Sequence, residues 1–434
     1  MKLVKMSLAA AVLLGASAFA IDNVKVSGDA KLFYSTNDAT TTNAVTGNTD
    51  DSLFSKGTSA ADTALRISVT GDLTKGVSFG ATGYAVSTLG LENNLVDATW
   101  TGAHGARTGT GAGYAEVDDK AWMGEMWVAA TLGKTTAKLG RMELDTPLAF
   151  SEKWSIVPNT FDAAVLINQD IPDTTLVGAW VGKGNGTNAV SLVGLGTNNV
   201  STLASVGLAL DGGVVGADAS FTTFNNGGAY AAAIVNNSFK PLVAQAWYYN
   251  VANIADAYWL QADWDCQLVK NVKVGAQYAD MSPKGALEAL GVTKDSKAYA
   301  FKLAYSGVES LNVSAAYSNV DKDGTLNIAN VATSNLTTAQ SKLYTETYWS
   351  YGVVGAPDAE SINLTAEYDM KNVAKFGAYY TNTDFDVVNL TMNEVAITAT
   401  KSFGPLDATV AYINTDWNTT PSVNTVQAYL TLNF

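Results

Sequence analysis

The residue types that do chemistry are scarce in this chain. Its single histidine, His104, sits in Thr101-Gly102-Ala103-His104-Gly105-Ala106-Arg107, inside a long loop at 89–119. A hydrolytic triad or dyad normally wants a histidine held beside its nucleophile, and a loop histidine offers no such geometry. One histidine and one cysteine, Cys266, cannot make the usual zinc sites or a disulfide framework. Gly109-Thr110-Gly111-Ala112-Gly113 misses the dinucleotide-binding spacing, because Tyr114 stands where the third glycine belongs. Asp321-Lys322-Asp323-Gly324-Thr325-Leu326-Asn327 has carboxylates two apart, as oxygen-ligand loops do. An EF-hand loop needs glycine sixth and glutamate twelfth, whereas here Gly324 is fourth and Ala332 twelfth. Asp321, Asp323 and Asn327 are therefore candidates for no more than a structural Ca2+, with a solvated turn as the default. The sequence predicts no enzyme and no required cofactor.

What remains is the chemistry of selection. The stretch Glu143-Leu144-Asp145-Thr146-Pro147-Leu148-Ala149-Phe150-Ser151-Glu152-Lys153-Trp154-Ser155-Ile156-Val157-Pro158-Asn159-Thr160 mixes acids with large apolar side chains. An outward loop would leave Leu148, Phe150, Trp154 and Ile156 in water. Folding inward onto a barrel wall would bury them and bring Glu143, Asp145 and Glu152, with Lys153 beside them, into a lumen. Facing carboxylates in a narrow pore concentrate cations and exclude anions. Arg66 and Lys138 fall on the wet side of their strands, where cations would set up a transverse field. Asp263, Asp265 and Glu367 are wet-side acids that would line the wall, with an equal claim to be plain solvated residues.

Such a loop needs a barrel. At the C-terminus Val426, Ala428, Leu430, Leu432 and Phe434 share one face, and Thr425, Gln427, Tyr429, Thr431 and Asn433 the other. This is a strand with one apolar and one wet face. The first strand, 24–35, alternates likewise. Between them the chain repeats strand, short turn, strand, long loop. Paired segments read at 65–73/77–85, 120–132/135–142, 161–170/173–182, 203–211/214–223, 229–239/242–250, 256–268/271–280, 296–306/310–319, 360–370/373–382 and 394–403/406–414. The count is about twenty, and 16, 18 and 20 all satisfy the even-number rule for bacterial barrels. Short turns at one end and long loops at the other are typical of outer-membrane barrels.

Composition agrees. Of 434 residues, 47% are hydrophobic and only 15% charged, where soluble domains carry about 25% charged residues. Eight prolines are few, as expected where most backbone N–H groups must pair. A net charge of −14 argues against nucleic-acid binding. Lys2, Lys5, the apolar run Leu8–Ala16 and Ala18-Phe19-Ala20 read as a signal peptide over 1–20. That leaves 21–434 as one barrel domain with long extracellular loops. No stretch reaches the roughly 20 apolar residues that a spanning helix needs.

Two stretches resemble the major outer-membrane porins of the epsilonproteobacterial (Campylobacter-like) type. They are Leu139-Gly140-Arg141-Met142-Glu143-Leu144-Asp145-Thr146-Pro147 with Val157-Pro158-Asn159-Thr160-Phe161-Asp162, and Ile171-Pro172-Asp173-Thr174-Thr175-Leu176-Val177. The resemblance implies a homotrimer of eighteen-stranded barrels, with the third long loop folded into each pore. Arg141, Glu143, Asp145 and Glu152 would border the constriction, and Phe434 would be the signal for the barrel-assembly machinery. The implied function is passive diffusion of ions and small hydrophilic solutes across the bacterial outer membrane, weakly cation-selective, in contact with outer-membrane lipid and lipopolysaccharide. Two alternatives stand beside it. One is a substrate-specific channel, with Trp247, Tyr249 and Trp259 as a binding track. The other is a structural or adhesive surface protein using the loops 36–61, 89–119, 183–202 and 320–359.

Overall fold

A computed structural model describes residues 21–42, 49–50, 52–87, 89–90, 96, 120–154, 156–185, 221–223, 228–289, 291–331 and 339–434. The signal peptide at 1–20, His104, the glycine run 109–113 and nearly all of the expected hairpin at 203–223 lie outside them.

Eighteen strands among the described residues close into one antiparallel barrel. They are β1 (Asp22–Asn37), β2 (Ser59–Thr74), β3 (Val77–Ser87), β4 (Lys120–Leu132), β5 (Thr135–Met142), β6 (Phe161–Asn168), β7 (Thr174–Gly184), β8 (Ala229–Asn236) and β9 (Leu242–Val251). The second half comprises β10 (Ala255–Asp265), β11 (Val272–Pro283), β12 (Ser296–Val308), β13 (Leu311–Val320), β14 (Ala359–Met370), β15 (Ala374–Phe385), β16 (Leu390–Phe403), β17 (Leu406–Trp417) and β18 (Val423–Asn433). Each strand pairs with the next in sequence. The circle closes where β18 pairs with β1, from Asp29 opposite Asn433 to Asn37 opposite Thr425. The end of the chain helps make this seam. Phe434 donates its N–H to the Gly28 carbonyl (3.0 Å), and its own carbonyl accepts from Gly28 N–H (2.8 Å). A Cβ on Gly28 would lie 2.7 Å from the Phe434 ring, so only glycine seats that ring.

The count of about twenty is thereby corrected to eighteen. The two surplus segments came from 203–223, yet β7 pairs directly with β8, from Ala229 opposite Val181 to Asn236 opposite Thr174. No gap is left in the wall for a hairpin. Among the described residues of that segment, the two-residue strand Thr222–Thr223 joins there, against Lys183 and Gly184. Alanine and glycine alternate too weakly to distinguish a wall strand from a connection.

The short turns occupy one end. Several turn on residues in the left-handed region, among them Gly76, Gly133, Asn271, Asn372 and Gly404, as tight hairpins demand. The outer wall is apolar. Leu139 is 65% exposed and Leu364 48% in the isolated chain, positions suited to an apolar surrounding. Tyrosines form part of a belt toward the loop end. Tyr248 and Tyr258 stand 5.2 Å apart, and Tyr299 is 6.2 Å from Tyr317. Aromatic rings with a polar tip suit the boundary between lipid and water.

Alternation fixes which face each substitution meets. Leu364→Arg should cost roughly 2–4 kcal/mol of folding stability in lipid vesicles, because it puts a guanidinium in the bilayer. Thr365→Arg, one residue on and facing the lumen, should cost under about 1 kcal/mol by the same measure, a urea titration of the inserted barrel.

Candidate functional site: the pore constriction

The stretch 143–160 leaves the wall at Met142 and returns at Phe161. A local turn shapes it. Ser151 N–H donates to the Leu144 carbonyl (2.8 Å), and Thr146 Oγ1 donates to the Ala149 carbonyl (2.6 Å). Its large side chains meet wall residues of lumen parity. Leu148, 1% exposed, joins Tyr249, Ile254, Trp259 and Leu287. Ile156 and Val157 join Phe33, Tyr84 and Val86. Burying each such side chain contributes about 1.5–3 kcal/mol. On β18, Tyr429 donates its hydroxyl proton to the Trp154 carbonyl (3.0 Å).

A second stretch, which sequence reasoning assigned to polar surface, packs beside the first. Residues 339–358 carry Tyr344, Tyr348, Trp349 and Tyr351. Tyr344 donates its hydroxyl proton to Asp263 (2.8 Å), and its N–H to the Gln277 side-chain oxygen (3.0 Å). Ser318 and Thr345 share a buried hydrogen bond of 2.6 Å. The need of apolar groups for a partner singled out 143–160. The same argument applied to these four aromatics would have found 339–358.

The first stretch is held both by Asn330 and Val331 and by the second stretch. The Asn330 side-chain amide donates to the Phe150 carbonyl (2.8 Å) and to Glu152 (3.0 Å), and Gln340 N–H donates to Glu152 (2.9 Å). Val331 N–H donates to the Leu148 carbonyl (3.0 Å). Trp154 packs edge-on against Trp349, with ring centres 5.8 Å apart, and lies 5.7 Å from Tyr351. Lys342 pairs with Asp145.

The expected charged residues divide into groups. Arg66, Glu143 and Lys153 come together. Glu143 lies 2.6 Å from Lys153 and 3.7 Å from Arg66, and Arg66 also donates to Asp29 on the neighbouring strand (2.8 Å). Glu152 is 2% exposed and holds the two stretches together rather than facing solvent. Lys138 lies over the Trp127 ring at 4.1 Å. Asp263, Asp265 and Glu367 belong to the half of the lumen nearer the short turns. Asp265 pairs with Lys273 (3.4 Å), and Glu367 with Lys375 (2.9 Å) and the Tyr379 hydroxyl (2.9 Å). Asp265, Glu367, Lys302 and Tyr344 line one cavity there of ≈ 1170 Å³.

Two expectations are corrected. Arg141 does not border the constriction. It shares the face of Leu139, opposes the 61%-exposed Met126, and pairs with Asp162 (2.8 Å) under Phe221. Strand alternation carries it to the outer wall, where Asp162 neutralises it. Trp247, Tyr249 and Trp259 form no open binding track, because they are 8%, 6% and 0% exposed beneath Leu148. Asp321 and Asp323 lie in a turn in which Asp323 N–H donates to Asp321 (3.1 Å). No group of three or more histidine, cysteine, aspartate or glutamate side chains that could hold a metal ion occurs among the described residues. Sequence reasoning also missed Lys342 and Glu394, which act on 339–358.

Glu346, in the second stretch, accepts hydrogen bonds from Ser341, Thr347 and Gly352 N–H groups. Burial pushes its carboxyl up from 4.5 to about 8, and those donors pull it only part of the way back. A value raised in the folded state stabilises the fold fully below the unfolded value of 4.5, and that contribution is lost as pH rises through about 8. Amide protection of 341–352, corrected for intrinsic exchange rate, should therefore fall between about pH 4.5 and 8. Hydrogen exchange should show a flatter profile in Glu346→Gln.

No protein-family model matches the sequence, and no curated protein matches it. Solved structures do match. OccK8 (OprE) of Pseudomonas aeruginosa is 15% identical with a TM-score of 0.67, covering 95% of this chain and 98% of its own. OccK9 (OpdG) of the same organism is 13% identical with a TM-score of 0.68, over 95% and 99%. OpdK, solved with vanillate, is 11% identical with a TM-score of 0.67, over 95% and 98%. These overturn the resemblance to epsilonproteobacterial porins, for the architecture matches the Pseudomonas aeruginosa OccK and Opd structures. Such low identity carries the fold alone: the chain is a bacterial outer-membrane β-barrel of eighteen strands.

Proposed function

We propose that this barrel is a substrate-specific outer-membrane channel, narrowed by 143–160 folded inward together with 339–358, and that it passes small solutes combining a carboxylate with an aromatic or apolar body. The carrying observation is the juxtaposition at the narrowing. Arg66, Glu143 and Lys153 form a mixed-charge cluster, and Trp154, Trp349 and Tyr351 supply aromatic surface. Acids paired with cations favour this over a cation-selective general pore. Asp29 and Glu143 have Arg66 and Lys153, and Asp145 has Lys342. The vanillate in the OpdK structure supplies the first probe. On this reading residues 1–20 are removed as a signal peptide, Phe434 is read by the barrel-assembly machinery, and mature barrels associate as homotrimers among lipid and lipopolysaccharide.

In planar bilayers the channel should conduct ions, and vanillate should block that current saturably where a neutral sugar does not. The double variant Arg66→Ala with Lys153→Ala should raise the half-blocking concentration about tenfold or more, since each charge-assisted hydrogen bond contributes about 1.5–3 kcal/mol. Currents that ignore vanillate and respond equally to any small solute would make it a general diffusion pore instead.

A further inference from the structure

One buried acid of the wall belongs to none of the charge pairs of the constriction. Glu394 points from β16, between Thr381 on β15 and Thr415 on β17. It is 2% exposed. Its carboxylate accepts from three consecutive backbone N–H groups: Tyr348 (2.7 Å) and Trp349 (2.9 Å) on one oxygen, and Ser350 (2.8 Å) on the other. Successive N–H groups turned toward one point form an anion-binding concavity. Here the anion that fills it comes from the barrel wall.

The consequence lies one residue away on either side. Trp349 reaches Phe33 on β1 (6.4 Å between rings) and Trp154 of the other stretch (5.8 Å), and Tyr351 reaches Trp154 (5.7 Å). Tyr348 packs on Tyr379 of the wall (5.3 Å). Below them the support is small and smooth, with Ala396, Ala411 and Ile413. Such a surface gives contact area without direction. The three hydrogen bonds from Glu394 are what fix where along the wall residues 348–350 sit.

We infer that Glu394 is a positioning residue for the channel: by gripping the backbone of 348–350 it places Trp349 and Tyr351 against Trp154 and so sets the aperture and its solute discrimination. This inference rests on the solute-specific reading above. Carboxylate-to-amide hydrogen bonds are stronger than neutral ones, so their loss is felt at the loop. Glutamine keeps the shape of the side chain but offers one acceptor oxygen, and it turns an N–H donor toward another N–H. Alanine removes the grip altogether.

The experiment combines hydrogen exchange with bilayer recording on the full-length inserted barrel. In Glu394→Gln, exchange at 348–350 should quicken at least about tenfold, and further in Glu394→Ala, while strand amides keep their protection. Open-channel conductance should rise about twofold or more, as a pore freed of an obstructing segment would show, with the half-blocking concentration of vanillate raised in step. Trp349→Ala, which leaves the grip intact, should raise conductance without quickening exchange at 348–350. Unchanged exchange at these amides in Glu394→Gln overturns the inference, as does quickened exchange with conductance and block left as in the wild type. The glutamine variant decides the matter if the alanine variant fails to insert. A wild-type channel without saturable block would sink the solute-specific reading, yet the exchange result at 348–350 would stand apart from it.

Discussion

Hydrocarbon offers no partner to a backbone N–H or carbonyl. Every such group in the membrane-crossing wall must be paired within the protein, and only a closed sheet does this with strands. The seam between β18 and β1 therefore governs the rest. With it, each strand has two neighbours; without it, two edges would face lipid. The seam also explains why the end of the chain is so ordered, with Phe434 exchanging backbone hydrogen bonds with Gly28 and its ring seated where no side chain could be.

Closure creates an interior, and the interior is then divided. Two stretches that would expose large apolar side chains as ordinary loops bury them against wall residues of lumen parity. Their polar atoms are satisfied largely by carboxylates and amides: Glu152 between the stretches, Glu346 within the second, and Glu394 from the wall. Near the narrowing Glu143 is paired with Lys153 and Arg66, and Asp145 with Lys342. Aromatic rings, paired charges and a water-accessible chamber toward the turn end are the features on which the proposed selective passage rests.

Alternation made the wall legible in the sequence. Segments such as 120–132 and 135–142 fall where the sequence placed them, because a strand with lipid on one side and water on the other must alternate. The same rule failed at 203–223, where alanine and glycine suit either environment. At Arg141 alternation gives the right face, and position in a motif was allowed to outweigh it. The stretch at 143–160 could be singled out because its apolar residues lacked partners on any outward path. Its partner at 339–358 was hidden by the polar run around it, and Glu394 by looking like any wet-side acid. Nothing in local spacing shows that a wall carboxylate will cap a backbone 44–46 residues away in the chain.

The bonds that Asn330 and the second stretch make to the first have a temporal consequence. Asn330 meets Phe150 across 180 residues of chain, and Gln340 meets Glu152 across 188, whereas most wall pairings join neighbours through short turns. Contacts so distant are costly to form while the intervening chain is free, and cheap once β5 through β14 stand in place. Loop-closure entropy thus favours a wall that closes before these contacts lock. A barrel caught between the two steps would be wider than the finished one and would leak across the membrane that holds it.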